Sequence, residues 1–478
     1  MSSSGHIEDR EGSRVPALFS FITFREEPFG AIVFNPFLPV EVEFDEIEAQ
    51  VVRMCDGTHS LDDVRNTLRK RAVYNSSAST AILQTTLHKL DRACALQYLD
   101  SPRTPKRRSK HSVCERRQSL LSTSSVFSAP KSVIWDVTYA CNLSCQHCLT
   151  DSGNGRTTAL GTEDAYELID RLADAQVLYV SLTGGEPFLR HDILDLVAYI
   201  TDHNMRVDIA SNGFDVPKRV LEGLRELPVF QVQVSVDGIG ASHDRFRGKK
   251  GAFKRACQTL RRLKEEGFST SISTTATAQN IGELPQIIDL AVSLGCDAFK
   301  AIPFIPAGRG RRTVQDLLLS RRGSMQLSRI LAEKEQEQRG RLSISTETTF
   351  TFLLSPQDCS EGTSGPMTCS AGYDQLSVGA DGTAYPCPFL HDFPLGNLLE
   401  SPMEKIWHES PLLNEMRTRD KESMTGPCRT CRFAPSHCRG GCRAAAYLTG
   451  EGLNGSDPLC FKDLVEELHR TDISHDVL

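Results

Sequence analysis

The sequence lacks an excess of positive charge, long apolar runs and an apolar N-terminal segment. Its 478 residues include 54 lysines and arginines against 61 aspartates and glutamates, a formal net charge of −7. We expect no nucleic-acid partner, because binding a phosphate backbone needs a basic surface. No apolar run reaches the ~18–20 residues that span a bilayer, and the polar N-terminus is unlike a secretory signal. We therefore expect a cytoplasmic protein without a membrane partner.

Cysteine, in contrast, is abundant. The chain has 16 cysteines, and a cytoplasmic protein rarely uses so many in disulfides because that compartment keeps thiols reduced. Three of them lie within residues 141–148 and seven within residues 369–460. Clustered cysteines at short spacings indicate metal or iron–sulfur ligation. The six scattered cysteines are expected to be small buried hydrophobic residues.

Residues 15–100 are predicted to form a small α+β domain with two strands and three helices. The strands are predicted at Ala17–Thr23 and Gly30–Phe34, and the helices at Phe44–Met54, Ser60–Arg71 and Ser77–Leu96. A basic, serine-rich stretch follows at residues 101–130. We interpret it as a flexible linker rather than a binding patch.

Apolar, β-branched runs alternate with helical patterns in residues 131–340. Six such units predict an α/β fold with a parallel sheet, closed or partly closed into a (β/α)6 barrel. Ligands should bind at the C-terminal ends of its strands. The strands are predicted at Val133–Val137, Val177–Leu182, Val207–Ala210, Phe230–Val236, Ser269–Thr275 and Ala298–Ile302. The helices are predicted at Glu163–Ala175, Ile193–His203, Pro217–Leu224, Ala252–Glu266 and Leu284–Leu294.

The first cysteine cluster directly follows the first strand of this predicted barrel. Cys141, Cys145 and Cys148 have the spacing C-x3-C-x2-C. Three thiolates on one short loop can hold three corners of a [4Fe–4S] cluster and leave the fourth iron open. The alternative is a zinc site, which needs four ligands and would have to use His147. We favour the cluster with an open iron.

A loop with two glycines, Thr183-Gly-Gly-Glu-Pro187, follows the second predicted strand. Its glycines allow the backbone to approach a small ligand closely. Polar residues also follow the next two strands, at Asn212 and at Ser235 and Asp237. These residues bind a ligand or, alternatively, act as helix N-caps.

The cysteine spacing and the glycine loop together resemble the radical S-adenosylmethionine (SAM) superfamily over roughly residues 131–310. The resemblance implies that SAM chelates the open iron and that one electron cleaves it to a 5′-deoxyadenosyl radical. It also implies a low-potential electron donor such as ferredoxin or flavodoxin. The implied SAM contacts are Gly184, Gly185, Glu186, Pro187, Asn212, Ser235 and Asp237.

The second cysteine set resembles the SPASM extension of peptide-modifying radical SAM enzymes and is assigned to residues 359–470. This resemblance implies two auxiliary [4Fe–4S] clusters, three clusters in all. The first auxiliary cluster would use Cys369, Cys387 and Cys442, and the second Cys428, Cys431, Cys438 and Cys460. Relatives often have an eighth cysteine, which residues 370–378 lack. Either Cys359 replaces it or the first auxiliary cluster keeps an open iron; a zinc-ribbon-like fold is the alternative.

The N-terminal region resembles a PqqD-like precursor-recognition domain, a small winged-helix fold, through residues 24–34 and 55–60. Such domains bind the leader of a ribosomally made (RiPP) precursor peptide as an extra strand at an open sheet edge. The leader would then bind to residues 15–100. A DNA-binding winged helix is the alternative, which the acidic residues between Glu41 and Glu48 disfavour.

The mycofactocin type is the maturase family that the chain resembles most, through residues 136–143, 306–310 and 385–389. The resemblance implies oxidative modification of a C-terminal residue of the precursor, such as decarboxylation or crosslinking. Here the pathway's separate chaperone would be fused to the maturase, which is a departure from the family.

Three alternatives stay open: a formylglycine-forming sulfatase maturase, a thioether or carbon–carbon crosslinking enzyme for another peptide, and a non-catalytic iron–sulfur peptide carrier. Pro388 disfavours the first, because those maturases have an aspartate base at this position. The intact Gly184–Pro187 loop disfavours the carrier. The sequence identifies no general base; Asp374, His391 and Asp392 are candidates with simpler structural roles.

Overall fold

The structure is a computed structural model of the chain. It describes residues 13–38, 40–70, 76–99, 101–103, 126–153, 155–346, 350–354, 369–434, 438 and 440–471. Most of the predicted linker and Cys359 lie outside these residues. Of the helices in the described ranges, none is long and apolar enough to cross a membrane.

The chain divides into two compact units. The first comprises residues 1–131, 176–178 and 202–206, and the second residues 132–175, 179–201 and 207–478. The sequence-predicted N-terminal domain lies in the first unit. The predicted barrel and the cysteine-rich extension lie in the second.

The first unit contains a three-stranded antiparallel sheet, a two-stranded pair and three helices. Strand β1 (Val15–Leu18) pairs with β5 (Leu96–Leu99), and the sheet order is β2 (Thr23–Glu27), β3 (Gly30–Asn35) and β4 (Val40–Asp45). The helices are α1 (Glu46–Met54), α2 (Leu61–Lys70) and α3 (Ser76–Arg92). Apolar residues of the sheet and helices, including Val33, Phe44, Val52 and Leu90, form a buried core.

Three predicted elements of this unit need correction. The predicted helix Ser77–Leu96 ends at Arg92, because Leu96 already pairs with β1 as the first residue of β5. The predicted strand Ala17–Thr23 is two strands, because a turn interrupts it: the Ile22 N–H donates to the Phe19 carbonyl at 3.1 Å. The predicted helix from Phe44 begins instead at Glu46, because Phe44 still pairs with β3. Asp45 and Glu48 form a capping box that starts the helix there.

The second unit is built on one ten-stranded sheet in the order β12-β11-β10-β9-β8-β7-β6-β13-β14-β15. The paired strands from β12 to β8 and from β7 to β13 are parallel, whereas β14 and β15 pair antiparallel. Its strands are β6 (Ser132–Asp136), β7 (Tyr179–Thr183), β8 (Arg206–Ser211), β9 (Val229–Ser235), β10 (Thr270–Ala276), β11 (Ala298–Pro303), β12 (Ser343–Thr346), β13 (Gln375–Val378), β14 (Thr383–Tyr385) and β15 (Gly396–Asn397).

Helices follow most of these strands, as a parallel sheet requires. They are α4 (Thr162–Asp174), α5 (Ile193–Asp202), α6 (Lys218–Arg225), α7 (Ala241–Arg247), α8 (Ala252–Glu265), α9 (Leu284–Ser293), α10 (Val314–Leu317), α11 (Arg321–Glu337), α12 (Met403–Glu409), α13 (Pro411–Arg417), α14 (Arg443–Leu448) and α15 (Lys462–Thr471). The parallel α/β sheet is therefore confirmed, and each of the six predicted strands is present to within two residues. The described strands β12 and β15 are its two edges, so the sheet is open rather than closed.

Candidate functional site

The loop after β6 brings three cysteines together at the C-terminal edge of the sheet. Cys145 is buried, whereas Cys141 and Cys148 are partly exposed, and none of the three forms a disulfide. A hydrogen-bond donor faces each sulfur: Asn212 Nδ2 at 3.7 Å from Cys141, Arg247 Nη1 at 3.7 Å from Cys145, and the Ser152 N–H at 3.3 Å from Cys148. Such donors stabilise thiolates, the form that ligates iron.

Burial raises the pKa of the Cys145 thiol to about 11. The unligated thiol is therefore protonated at neutral pH, and ligation must release this proton. This donor set of three sulfurs, surrounded by a cation and N–H groups, fits an iron–sulfur cluster with one iron that the loop does not ligate.

His147 lies between Cys145 and Cys148 in sequence but is engaged elsewhere. Its ring stacks on Phe246 with centroids 4.5 Å apart, and its Nε2 lies 3.8 Å from Asp237 Oδ2. Burial lowers the pKa of His147 to about 3. This packing does not favour His147 as a fourth zinc ligand. In the described ranges, no three His, Cys, Asp or Glu side chains are grouped closely enough to hold a single metal ion.

The two glycines of the loop after β7 are required by the cysteine loop itself. A Cβ on Gly184 would lie 2.3 Å from the Thr138 carbonyl oxygen, and one on Gly185 would lie 2.1 Å from that of Ala140. The Gly185 and Glu186 N–H groups donate to these same two carbonyls at 2.8 and 2.9 Å. The glycines therefore allow close backbone contact between the two loops.

Glu186 connects the glycine loop to the end of β8. Its buried carboxylate accepts hydrogen bonds from the Ser211 hydroxyl at 2.9 Å, from the Asn212 N–H at 2.8 Å and from the Phe188 N–H at 3.2 Å. Burial raises the pKa of Glu186 to about 7, although these donors oppose the shift. The carboxylate thus connects two adjacent loops, and Pro187 begins a short 3-10 helix directly after it.

Asp237, which follows the end of β9, is buried in an ion pair that the sequence did not indicate. Its carboxylate lies 2.5 Å from Arg247 Nη2 and accepts a hydrogen bond from the Thr275 N–H at 2.8 Å. Because Arg247 also faces the Cys145 sulfur, Asp237 fixes a cation against the cysteine loop. Ser235 ends β9 beside Ser273 of β10 and is half-buried.

A second arginine secures the same loop from the segment after β11. Arg309 donates to the Cys145 carbonyl at 3.0 Å and pairs with Asp151 at 2.9 Å, and its own N–H donates to the Cys148 carbonyl. A Cβ on Gly308 would lie 2.3 Å from the Leu149 carbonyl oxygen. Residues 306–310, one of the segments of family resemblance, thus clamp the cysteine loop.

Two of the three candidate bases from the sequence have clear surroundings. Asp392 is paired with Arg311 at 2.5 Å and accepts a hydrogen bond from Tyr447 at 3.1 Å. His391 packs against Tyr385 and places Nε2 4.0 Å from Oδ2 of the buried Asp136. Neither of these two atoms has a hydrogen-bond partner among the described residues. Burial raises the pKa of Asp136 to about 7.

The remaining candidate, Asp374, directly precedes β13. Its main-chain carbonyl accepts a hydrogen bond from the Ser132 N–H at 2.9 Å, which connects it to the first residue of β6. That contact involves only the main chain, so the role of the Asp374 carboxylate stays a prediction.

The cysteines of the extension lie in two places in the structure, and their assignment to two clusters stays a prediction. In the first set, the electrostatic influence of Cys369 on Cys387, and of both on Cys442, places the three sulfurs in one neighbourhood. In the second set, Cys428, Cys431, Cys438 and Cys460 line one cavity together with Phe350, Phe352 and Phe433. Such sulfur-lined spaces fit iron–sulfur clusters.

Asp457 organises the region between these sets and was not singled out from the sequence. It is buried and accepts hydrogen bonds from the Cys442 N–H at 2.7 Å and the Leu459 N–H at 2.9 Å. Burial raises the pKa of Asp457 to about 6. Its position three residues before Cys460 is the sequence signal that could have identified Asp457 as a candidate.

Comparison with known proteins identifies the class to which this fold and site belong. Residues 135–291 match the radical SAM superfamily, and residues 369–432 match SPASM, an iron–sulfur cluster-binding domain. The mycofactocin maturase MftC of Mycolicibacterium smegmatis is 35% identical over 337 residues, which cover 70% of this chain and 83% of that protein. The AdoMet-dependent heme synthase of Methanosarcina barkeri is 31% identical over 345 residues, 70% of this chain and 96% of that protein.

Solved structures show the same fold. SuiB of Streptococcus suis, determined with S-adenosylmethionine, aligns with a TM-score of 0.70 and 18% identity over 93% of this chain and 99% of that one. SuiB has also been determined with its precursor peptide SuiA. The chain therefore belongs to the radical SAM superfamily, and it carries a SPASM domain. It is an enzyme that uses SAM and [4Fe–4S] clusters.

Proposed function

We propose that this enzyme oxidatively modifies a ribosomally made precursor peptide that it holds by the leader. The observation that carries the proposal is the 35% identity to a mycofactocin maturase over 83% of that protein's length. The fold likeness to SuiB, which binds a precursor peptide, extends this support because it covers 93% of the chain rather than 70%. The modification of a C-terminal residue by decarboxylation or crosslinking is the favoured outcome.

In this proposal Cys141, Cys145 and Cys148 hold the first cluster, and Arg247 and Asn212 stabilise negative charge on its sulfurs. When bound there, SAM supplies a carbon-centred radical that takes a hydrogen atom from the substrate. The protein binds and orients the peptide and keeps water away, since the cofactor carries the difficult chemistry. A ferredoxin- or flavodoxin-like protein supplies the electron.

The residues implied as SAM contacts differ in whether their side chains already form hydrogen bonds or ion pairs within the protein. The backbone of Gly184–Pro187 would contact SAM, whereas the Glu186 carboxylate is occupied by three hydrogen bonds from the protein. Asp237 likewise acts through Arg247. The Asn212 side chain is also engaged, because its Nδ2 donates to Asn142 Oδ1 at 2.9 Å and its Oδ1 accepts from the Phe214 N–H at 2.7 Å. Ser235 is therefore the better candidate for a direct side-chain contact with SAM.

The two sets of cysteines in the extension hold the auxiliary clusters. Cys369, Cys387 and Cys442 hold the first, and whether Cys359 completes it is left to experiment. Cys428, Cys431, Cys438 and Cys460 hold the second, within a cavity that Phe350, Phe352 and Phe433 also line. These clusters would accept the electron that leaves the substrate in a net oxidation.

Residues 15–100 bind the leader as a PqqD-like, winged-helix domain. The three-stranded sheet supports this, because β4 is an edge strand to which no other described strand is paired. An edge strand presents unpaired N–H and C=O groups to an incoming strand. Glu43 and Asp45 are exposed on this strand, so a leader with basic residues would fit it.

The test is anaerobic reconstitution of the full chain, followed by mass spectrometry of candidate precursor peptides after incubation with SAM and dithionite. We expect a mass loss on the intact precursor and little change on the same peptide without its leader. Equal reaction of both peptides would contradict the leader role. Formation of formylglycine, or turnover of a haem precursor but no peptide, would replace the proposed function.

A further inference from the structure

The segment around α7 and α8 concentrates positive charge in a chain whose net charge is −7. From residue 245 to residue 264 there is no aspartate or glutamate, and nine residues are basic. They are Arg245, Arg247, Lys249, Lys250, Lys254, Arg255, Arg261, Arg262 and Lys264. Arg247 is buried in the site, but Arg245, Lys249, Lys250, Lys254, Arg255 and Arg261 are exposed; we call these six the basic face.

The basic face adjoins the cysteine loop. The Ser144 N–H donates to the Arg247 carbonyl at 3.2 Å, and the Gln146 N–H donates to the Phe246 carbonyl at 3.1 Å. A Cβ on Gly248 would lie 2.7 Å from the Ser144 carbonyl oxygen. Ser144 is exposed and lies between two of the cluster cysteines. Lysines and arginines therefore border the exposed surface at the cysteine loop.

A groove extends the basic face on its other side. It has a volume of about 540 Å³, and its charged lining consists of three arginines, Arg255, Arg261 and Arg262, and two acidic residues, Asp215 and Glu265. Its rim is tied to the cysteine loop, because Asn142 donates to the Phe214 carbonyl at 2.9 Å. A partner that entered this groove would therefore stand next to the first cluster.

Most charges of the basic face are not used inside the protein. Arg255 pairs with Asp215 at 3.0 Å, and Lys249 lies over the Phe214 ring. Lys250 and Lys254 form no ion pair with any described residue. Uncompensated lysines on one surface attract an anionic partner and raise its rate of association.

We propose that the basic face is the docking site of an acidic one-electron carrier protein that reduces the first cluster. This inference rests on the proposed function only in that the enzyme needs an external electron. One electron leaves the reduced carrier and enters the cluster, and no proton or group is transferred. The position beside the cysteine loop favours a redox protein over a nucleic acid or an acidic peptide, because electron transfer requires a short path.

The test reverses two charges without touching the site. Lys250 and Lys254 become glutamate, and Lys254 lies in the first turn of α8, where an acidic side chain suits the helix dipole. The matched control reverses Arg322 and Arg329, two exposed arginines of α11, and changes the net charge equally. Binding of a purified acidic flavodoxin is measured by calorimetry at low and high salt. Formation of 5′-deoxyadenosine is measured with reduced flavodoxin and with photoreduced deazaflavin, an uncharged small reductant.

We expect the double variant to bind flavodoxin at least tenfold more weakly, with a smaller salt dependence, and to lose most flavodoxin-driven turnover. Deazaflavin-driven turnover and the control variant should match wild type. Unchanged binding, or an equal loss in the control, would overturn the proposal, as would weaker binding of the precursor instead. If deazaflavin-driven turnover also falls, the substitutions Lys250→Gln and Lys254→Gln are used instead, and their flavodoxin binding alone decides the question. If the wild-type enzyme is inactive with both reductants but still binds flavodoxin through the basic face, the proposed function is wrong and the docking site stands.

Discussion

Replacing Gly185 with alanine tests whether contact between the glycine loop and the cysteine loop organises the site. The new Cβ would lie 2.1 Å from the Ala140 carbonyl oxygen, so the two loops must separate by about 1 Å to reach ordinary van der Waals distance. Overpacking of this kind costs about 1–3 kcal/mol of stability. A displacement of about 1 Å at a reacting centre lowers a rate by about 100-fold.

The assay is 5′-deoxyadenosine formation under dithionite, without peptide, together with the iron content of the reconstituted variant. We expect turnover to fall by about two orders of magnitude while the auxiliary iron stays. Gly282→Ala is the control, because no atom lies within 4 Å of the Cβ that it would add. Wild-type SAM cleavage in Gly185→Ala would refute the reasoning, since the loops would then not need this contact.

Three further predictions follow from buried carboxylates and cysteines. Asp237→Asn leaves the Arg247 guanidinium buried without its charged partner, which should lower the free energy of unfolding by about 3–5 kcal/mol. It should also shift the reduction potential of the first cluster, as measured in an electron paramagnetic resonance titration. An unchanged potential and an unchanged melting temperature would count against this role of Asp237. The pKa of Asp136 is raised from 3.8 to about 7 in the folded protein. Its contribution therefore lowers the free energy of unfolding progressively as the pH rises from about 4 to 7, and this loss is complete above pH 7. Asp136→Asn should therefore gain up to about 4 kcal/mol over wild type at pH 8 but little at pH 4, as thermal melts would show; a pH-independent difference would be inconsistent. Cys438→Ala should lower iron content but leave dithionite-driven SAM cleavage intact, and loss of both would mean that the extension supports the first site.

The barrel strands were predictable because each is a short apolar run followed by a helix pattern. Strand β12 was not, because Ser343–Thr346 contains a single apolar residue, Ile344. Strand β13 also escaped prediction, since Gln375–Val378 is only four residues long and pairs with β6, which lies far away in sequence. Parallel pairing between distant segments leaves no local pattern to read.

The candidate cysteines were found from their spacing and from the family resemblance, but the residues that support them could not be predicted. Arg247 and Asp237 pair across ten residues of sequence, and Arg309 reaches the cysteine loop from a segment more than 150 residues away. The glycine loop has a second role that no sequence pattern indicated. Gly184 and Gly185 remain predicted SAM contacts, and the structure shows that they also admit the backbone of residues 138–140.

The central claim is that Cys141, Cys145 and Cys148 hold a cluster that cleaves SAM. The direct measurement is iron content and 5′-deoxyadenosine formation in the variant with all three changed to alanine. We predict a fall from about 12 to about 8 iron atoms per chain and no 5′-deoxyadenosine, while wild type forms it under strong reduction. Full SAM cleavage by the variant, or zinc at these cysteines in anaerobically purified wild type, would contradict the account.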